Sequence, residues 1–583
     1  FEADTLQVSM LASNRNDNLS LILNVDNKSK QYDVDGSLDA EIAFIPVKGA
    51  IPDMDIKINP SVIVVNDTYF DLNESEVEVR EKRYTIHDFM LDHGEGEYIK
   101  VNGAVSAIPE DSIRVDISHF QIGTLLGAMK TTDIPISGEA NGQIVAKRLL
   151  STPVILTRNF GINNIVFAEN DIGNLSVSTA YSTERKGVVL RAALDHELYQ
   201  QSVISGLYLP EKDSLSLTAK VRDIRLEWLR NMTGDMLYGL DGSVNADIKA
   251  SGSMSDPKID GYVYFDNAKV GVKMLNTLYT INDSIFVTPN ELSLRRFRII
   301  DENNKAMRAN GQVSYKNFSN FVPNISLSMN DFMVMNNLNQ IDSMFYGNLK
   351  LNGRLTITES NKDWVLGGDL SHSPNSTIMV NLPSSAGSTA QRHTSITFVN
   401  SEGEDLDKLA KEEERAERAE FDFPMRINIT MTLNEGLNMG VVYNAATGDY
   451  GKVTGSGNVR FEYDLASSMM NLTGDYTIKS GMATFSVANV TKKTFNVQEG
   501  GKLTFRGDPL ATEFEITALY ELRADLANLD KQGFETLMGG STRVPVRCSI
   551  SVTGNLDEMN IAYNIELPDA SDEVRRRFDS ILY

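Results

Sequence analysis

Period-two alternation of apolar and polar residues, carried by one short run after another, is the feature that most limits what this chain can become. Leu19-Ser-Leu-Ile-Leu-Asn-Val-Asp, Val459-Arg-Phe-Glu-Tyr-Asp-Leu and Phe514-Glu-Ile-Thr-Ala-Leu-Tyr-Glu-Leu each place apolar side chains on one face and polar ones on the other. Successive side chains of a strand point to opposite faces, so these runs read as half-buried strands of an antiparallel sheet with one dry and one wet face. Gly, Asn, Asp and Pro separate the runs, as turns between strands require.

The alternation is organised into long repeats. Gly36-Ser-Leu-Asp-Ala-Glu-Ile, Gly142-Gln-Ile-Val-Ala, Gly242-Ser-Val-Asn-Ala-Asp-Ile, Gly353-Arg-Leu-Thr-Ile and Gly457-Asn-Val-Arg-Phe recur at intervals of roughly one hundred residues. A second pattern precedes three of these glycines with the same period: Ile117-Ser-His-Phe-Gln-Ile, Val221-Arg-Asp-Ile-Arg-Leu and Met329-Asn-Asp-Phe-Met-Val. Two independent marks with one period imply a unit used about five times, each unit being several strands followed by a short apolar helix or turn such as Ile224-Arg-Leu-Glu-Trp-Leu-Arg-Asn-Met. At about 4.8 Å per strand, five units of about six strands would stack to roughly 140 Å, the length of a rod. The expected fold is all-β, an elongated repeating sheet with a few short helices.

A chain of 583 residues is too long for one hydrophobic core, which agrees with a repeat array. Its net charge of -24 repels a nucleic-acid backbone and disfavours electrostatic attachment to anionic headgroups. A single cysteine, Cys548, excludes an internal disulfide framework and suits a reducing cytosol or a large bacterial envelope protein. No run of apolar residues is long enough to span a bilayer, and the start at Phe1-Glu-Ala-Asp reads as the beginning of a fragment.

Residues 383–420 break the pattern. Pro383-Ser-Ser-Ala-Gly-Ser reads as a flexible linker, and Asp405-Leu-Asp-Lys-Leu-Ala-Lys-Glu-Glu-Glu-Arg-Ala-Glu-Arg-Ala-Glu as a charged helix of a solvated insertion or, less simply, a docking helix. Ala524–Met538 reads as a second loop or short helix.

Reactive chemistry is hard to find. His87, His93, His119, His196, His372 and His393 show no HExxH, HxH or other metal-ligand spacing. His93-Gly-Glu-Gly-Glu reads as a polar loop. Asp33-Val-Asp-Gly-Ser-Leu-Asp-Ala-Glu has its glycine too early for a calcium loop and reads as a surface turn. No nucleophile elbow, P-loop or dinucleotide fingerprint is present. Trp228 and Trp364 are expected in cores.

What remains is the dry face, whose candidate lining residues are Val459, Phe461, Tyr463, Leu465, Phe485, Val487, Phe514, Ile516, Ala518 and Tyr520. Large apolar surfaces are covered in stable proteins. A second sheet, the same sheet curled over, or an apolar ligand would each serve, and alternation alone does not choose among them.

Ser251-Gly-Ser-Met-Ser-Asp-Pro-Lys-Ile-Asp-Gly-Tyr-Val-Tyr-Phe-Asp resembles the repeated phrase of the AsmA and TamB superfamily. The stretch from about residue 420 to 580 is similar to the TamB signature domain. It carries Leu472-Thr-Gly-Asp-Tyr-Thr-Ile-Lys-Ser-Gly, Phe495-Asn-Val-Gln-Glu-Gly-Gly-Lys-Leu-Thr-Phe-Arg-Gly-Asp-Pro, Val544-Pro-Val-Arg-Cys-Ser-Ile-Ser-Val-Thr-Gly and Ile565-Glu-Leu-Pro in order. The resemblance divides the chain into repeating units over 1–420 and a signature domain over 421–583. It implies a β-taco, a U-shaped groove apolar within, that conducts phospholipids across the periplasm between the inner and outer membranes of a Gram-negative bacterium. It also implies an amino-terminal membrane anchor, absent from this sequence, and a TamA-like or lipidated outer-membrane barrel as partner. No catalytic residue, metal or cofactor is expected, only phospholipid as cargo. A scaffold that helps outer-membrane proteins insert through the same barrel is the second reading, and a ligand-free structural or adhesive solenoid the third.

Overall fold

The computed structural model describes residues 5–28, 33–48, 51–65, 68–128, 136–233, 236–316, 319–338, 345–381, 425–444, 447–467, 469–487, 491–508, 511–555 and 558–582. The chain is all-β: the described residues form thirty-four strands, with a few short helices between them. It divides into two compact units, one made of residues 1–270 and 281–292, the other of 271–280 and 293–583. The expected insertion at 383–420 lies outside the described residues.

In the first unit these strand pairs are antiparallel, beginning with Thr5–Arg15 against Asn18–Lys28. The short strands between residues 53 and 80 pair out of chain order, Asp53–Ile58 with Ser75–Arg80 and Thr68–Leu72 with Arg83–Gly94. From Arg83–Gly94 onward neighbours pair in chain order as far as Ser214–Arg225 against Leu237–Gly252. The acidic run from Asp33 to Glu41 is not a turn. It is part of the strand Asp33–Ile45, paired with Asn18–Lys28 on one side and with two shorter strands on the other. Its carboxylates alternate with Val34, Leu38 and Ala40, and a period-two pattern is satisfied by a pleat whatever the charge of its polar half. His93-Gly-Glu-Gly-Glu is a hairpin: Glu95 and Gly96, both at positive φ, link Arg83–Gly94 to Glu97–Val105.

Both repeat marks acquire a physical meaning in the ladders. His119, Asp223 and Asp331, the third residues of the second mark, adopt φ of 46°, 51° and 55°. Each sits in a register shift, between Ile117 and Phe120, Val221 and Ile224, and Met329 and Phe332. A bulge of this kind bends and twists its strand. The freed N–H is taken up by an asparagine of the next strand: His119 donates to Asn141 at 2.8 Å, Asp223 to Asn245 at 3.1 Å and Asp331 to Asn352 at 2.7 Å. The five periodic glycines are places where a neighbouring strand comes too close for a side chain. A Cβ on Gly353 would lie 2.3 Å from the Asp369 carbonyl oxygen, and one on Gly457 only 2.1 Å from that of Asp475. The hundred-residue period is thus a recurring crease, a bulged strand beside a glycine strand.

After the first two bulges the chain turns into short helices, Ile122–Ala128 and the 3₁₀ turn Leu226–Met232, where Trp228 is buried. At the third the expected helix does not form and the chain stays in strand to Asn336. Trp364, expected in a core, is half-buried near a strand start and donates from Nε1 to the Phe321 carbonyl at 3.1 Å. A polar acceptor outside the core holds its one N–H, so full burial would leave that group unpaired.

In the second unit, Asp363–His372 and Met425–Leu433 are parallel, with Trp364 beside Met425 and Ser371 beside Thr432. Ser376–Asn381 and Leu437–Asn444 are parallel too. Parallel neighbours need a crossover connection, and the break in the alternation at 383–420 falls between the partners of both these parallel pairs. Beyond it the antiparallel order resumes through Asp449–Asp464, Met469–Val487, Glu513–Asp525, Arg543–Gly554 and Met559–Glu566.

The sequence Ala524–Met538 forms a strand end, a 3₁₀ turn and the helix Lys531–Met538. Asp530 caps that helix by accepting from the Gly533 N–H at 3.1 Å, and Gly539 ends it at φ 59°. This helix and Asp572–Leu582 cover Val544 and Val546 with Phe534, Val574 and Phe578, forming a separate small core.

Candidate functional site: the apolar inner face

Cross-strand register turns the alternation into continuous tracks. In the first unit, Phe160 lies opposite Val177, Val177 opposite Ala192, Ala192 opposite Ile204, Ile204 opposite Ala219, and Ala219 opposite Ile248. These six residues on six adjacent strands form one apolar row. Leu175 and Leu194 flank it on one side, Leu190 and Leu217 on the other, in the same pleat. None of the six is fully buried, and Ile204 in mid-row is 41% exposed.

The opposite face of the same strands is polar. Arg191, Ser205 and Thr218 follow one another across it, and Arg191, Gln201, Val203, Ser205, Thr218 and Lys220 line a shallow hollow there. One pleat further, Asp247 accepts from Arg222 at 2.7 Å and from the Tyr262 hydroxyl at 2.6 Å. Tyr262 and then Arg222 hold that carboxyl below the usual carboxylate range.

The second unit carries a comparable row. Leu327 lies opposite Leu355, then Gly368, Ile429, Phe461 and Leu472 follow strand by strand. The next row passes through Met329, Gly353, Leu370, Met431, Val459, Gly474 and Phe505. Thirteen buried residues, among them Phe332, Leu437, Tyr476 and Ile478, form a continuous cluster along this face, with partly buried side chains beyond them. Burial drives the Tyr476 phenol up to about 12, and its hydroxyl has no hydrogen-bond partner among the described residues.

The residues expected from the sequence fall on these rows as follows. Val459 and Ala518 are buried in the large cluster, and Ile516 packs against it. Phe461 and Tyr463 are half-buried with rings 6.3 Å apart on the same pleat. Phe514 stands opposite Leu503, and Tyr520 opposite Cys548, whose thiol is pushed up by burial. Leu465 follows the end of its strand and donates its N–H to the Met425 carbonyl at 3.1 Å. The side chains of Phe485 and Val487 lie outside the described residues; their backbones pair with Lys493 and Thr491. Sequence reading missed the Phe160–Ile248 row, because alternation names the dry face of one strand but not the residue opposite on the next.

Among the described residues no three His, Cys, Asp or Glu side chains gather in a metal-like group, and no helix is long and apolar enough to cross a membrane. His119 and His196 meet single carboxylates, Glu139 and Asp171. Fold and site together define an all-β protein whose distinctive surface is the apolar face of a creased antiparallel sheet. Residues 295–574 match the family model described as the TamB C-terminal domain, and this match supports a place in the TamB family. That is a non-enzymatic transport and assembly family of the cell envelope, whose members work with TamA-type partners. No curated protein matches the chain.

Proposed function

We propose that the inner face is a track along which phospholipid acyl chains pass between the inner and outer membranes across the periplasm. The observation that carries this reading is the partly exposed apolar row from Phe160 to Ile248, with half-exposed Ile204 at its centre. Burying one CH₂ is worth about 0.8 kcal/mol, so an acyl chain remains on a continuous apolar surface and does not enter water. Equivalent rows on successive strands let it slide without a large barrier while its headgroup stays in solvent, and no catalytic residue is needed. Val459, Phe461, Tyr463, Leu465, Phe485, Val487, Phe514, Ile516, Ala518 and Tyr520 are proposed to form a track of the same kind in the signature domain at 421–583. An inner-membrane anchor outside this sequence and a TamA-type barrel would complete the bridge.

The test is native mass spectrometry of protein purified from the envelope. Wild type is expected to carry phospholipid, and Ile204→Asp, still folded by circular dichroism, to lose it. A lipid-free wild-type spectrum with the fold intact overturns the reading.

One feature favours the second reading, a scaffold for outer-membrane protein insertion. Met559–Glu566 pairs with Arg543–Gly554, and its apolar residues Ile561 and Tyr563 stay exposed, Tyr563 at 68%. An exposed strand of this kind suits addition to the open edge of a barrel. Scaffolding predicts that substitutions in this strand abolish function while Ile204→Asp is tolerated.

A further inference from the structure

On the strand Thr491–Val497, Lys493 shares its pleat with Phe495 and Val497, both part of the large apolar cluster. Its ammonium bonds the Tyr520 hydroxyl at 3.1 Å and lies 5.2 Å from the centre of that ring. Tyr520 is itself an inner-face residue, two positions from buried Ala518, and its ring is 5.4 Å from Phe495. Lys493 therefore points its charge along the dry face.

Five other strands of the unit do not repeat that placement. The corresponding inner positions on Met425–Leu433, Lys502–Gly507, Glu513–Asp525, Arg543–Gly554 and Met559–Glu566 carry no charged residue. Among the described residues Lys493 makes no ion pair; its partner is the neutral phenol of Tyr520. A cation on an apolar face without an anion is costly, and a lysine ammonium has three donors, of which Tyr520 uses one. The phenol accepts from the lysine, which leaves its own O–H free to donate. Two donors thus converge beside an apolar strip, in a chain whose net charge of -24 otherwise repels anions.

We propose that Lys493 and Tyr520 form a station for the phosphate of a phospholipid whose acyl chain lies on the half-buried Phe495, Ile516 and Ile550. This rests on the lipid-track reading and adds a place where the cargo pauses. The station sits where the large apolar cluster gives way to the small core under the two helices, since Leu522 and Cys548, flanking Tyr520, pack on the latter. A lipid arriving along the face therefore meets a phosphate anchor before it meets the helical cover.

The experiment compares dioleoyl phosphatidylglycerol with dioleoylglycerol, which has the same chains and no phosphate. Each is offered in excess to lipid-stripped protein, and retention is read by native mass spectrometry. Wild type is expected to prefer the phospholipid. Lys493→Met loses that preference by about tenfold, the value of one charge-assisted hydrogen bond, while its uptake of dioleoylglycerol is unchanged. Lys493→Arg restores the preference, which separates loss of charge from loss of fold. Full preference in Lys493→Met overturns the station but leaves the track intact. Uptake of neither lipid by wild type overturns the track and the station with it. Inorganic phosphate that binds lipid-stripped wild type in a Lys493-dependent way, and blocks no lipid, assigns the site to free phosphate and overturns the lipid assignment.

Discussion

The backbone N–H of Asn434 donates to Nε2 of His372 at 2.9 Å, across two strands that run in the same direction. Because that nitrogen must accept, the ring proton resides on Nδ1, which faces the Ser373 carbonyl at 3.0 Å. His372 is buried, so both contacts are shielded from water. It ties together the ends of Asp363–His372 and Met425–Leu433, where the chain bends away from its strands.

His372→Ala is expected to leave the Asn434 N–H buried and unpaired, lowering stability by about 1–3 kcal/mol. Urea unfolding followed by intrinsic fluorescence checks this: the midpoint should fall while the slope stays constant. An unchanged midpoint would show that the parallel junction does not depend on this ring.

The crease glycines give a graded prediction. Gly353→Ala puts a methyl against the Asp369 carbonyl at a φ of 136° and is expected to cost about 3 kcal/mol from strain and overlap together. Gly96→Ala, at φ 85° in a hairpin with open space around it, meets only the backbone strain of about 1 kcal/mol. Thermal melts of the two variants should separate clearly, and equal melts would show that the close approach at Gly353 relaxes freely.

Tyr476→Phe is expected to raise the stability of lipid-free protein by about 1 kcal/mol, because it removes a buried hydroxyl that has no partner. Scanning calorimetry before and after lipid extraction tests this. A loss of stability after extraction would mean that the hydroxyl is satisfied within the protein.

Acid should loosen the helical cover first. Arg577, at 2.6 Å, and then the Gly533 N–H hold the Asp530 carboxyl below its ordinary value. A carboxyl depressed in the folded state contributes stability above its unfolded pKa and loses it as pH falls through the folded one. Amide exchange over 572–582 is therefore expected to rise as pH drops through and below the ordinary carboxylate range, after correction for the intrinsic rate. Asp530→Asn should flatten that dependence.

Much of this was legible in the chain itself, for identifiable reasons. Val459, Phe461 and Tyr463 could be placed on one face because the period of a strand is two and needs no partner. The recurrence of Gly142, Gly242 and Gly353 could be counted, but its cause could not, because the atom each glycine avoids belongs to another strand. The same nonlocality hid the Phe160–Ile248 row, the parallel junction at His372 and the position of Lys493, whose neighbours in sequence say only that it is polar. The acidic run at Asp33 misled because charge density was weighed above alternation.

The crease also governs how such a chain can change in length. Its parts, an N–H released by a bulge and the asparagine that catches it, lie on two adjacent strands and need nothing beyond them. Deleting or duplicating one strand would set a bulge against a bulge and turn the next run of side chains to the wrong side. Deleting or duplicating two leaves both creases and faces in phase. Descent with modification would then add or remove such a sheet by the hairpin, and lineages would differ by even counts of strands.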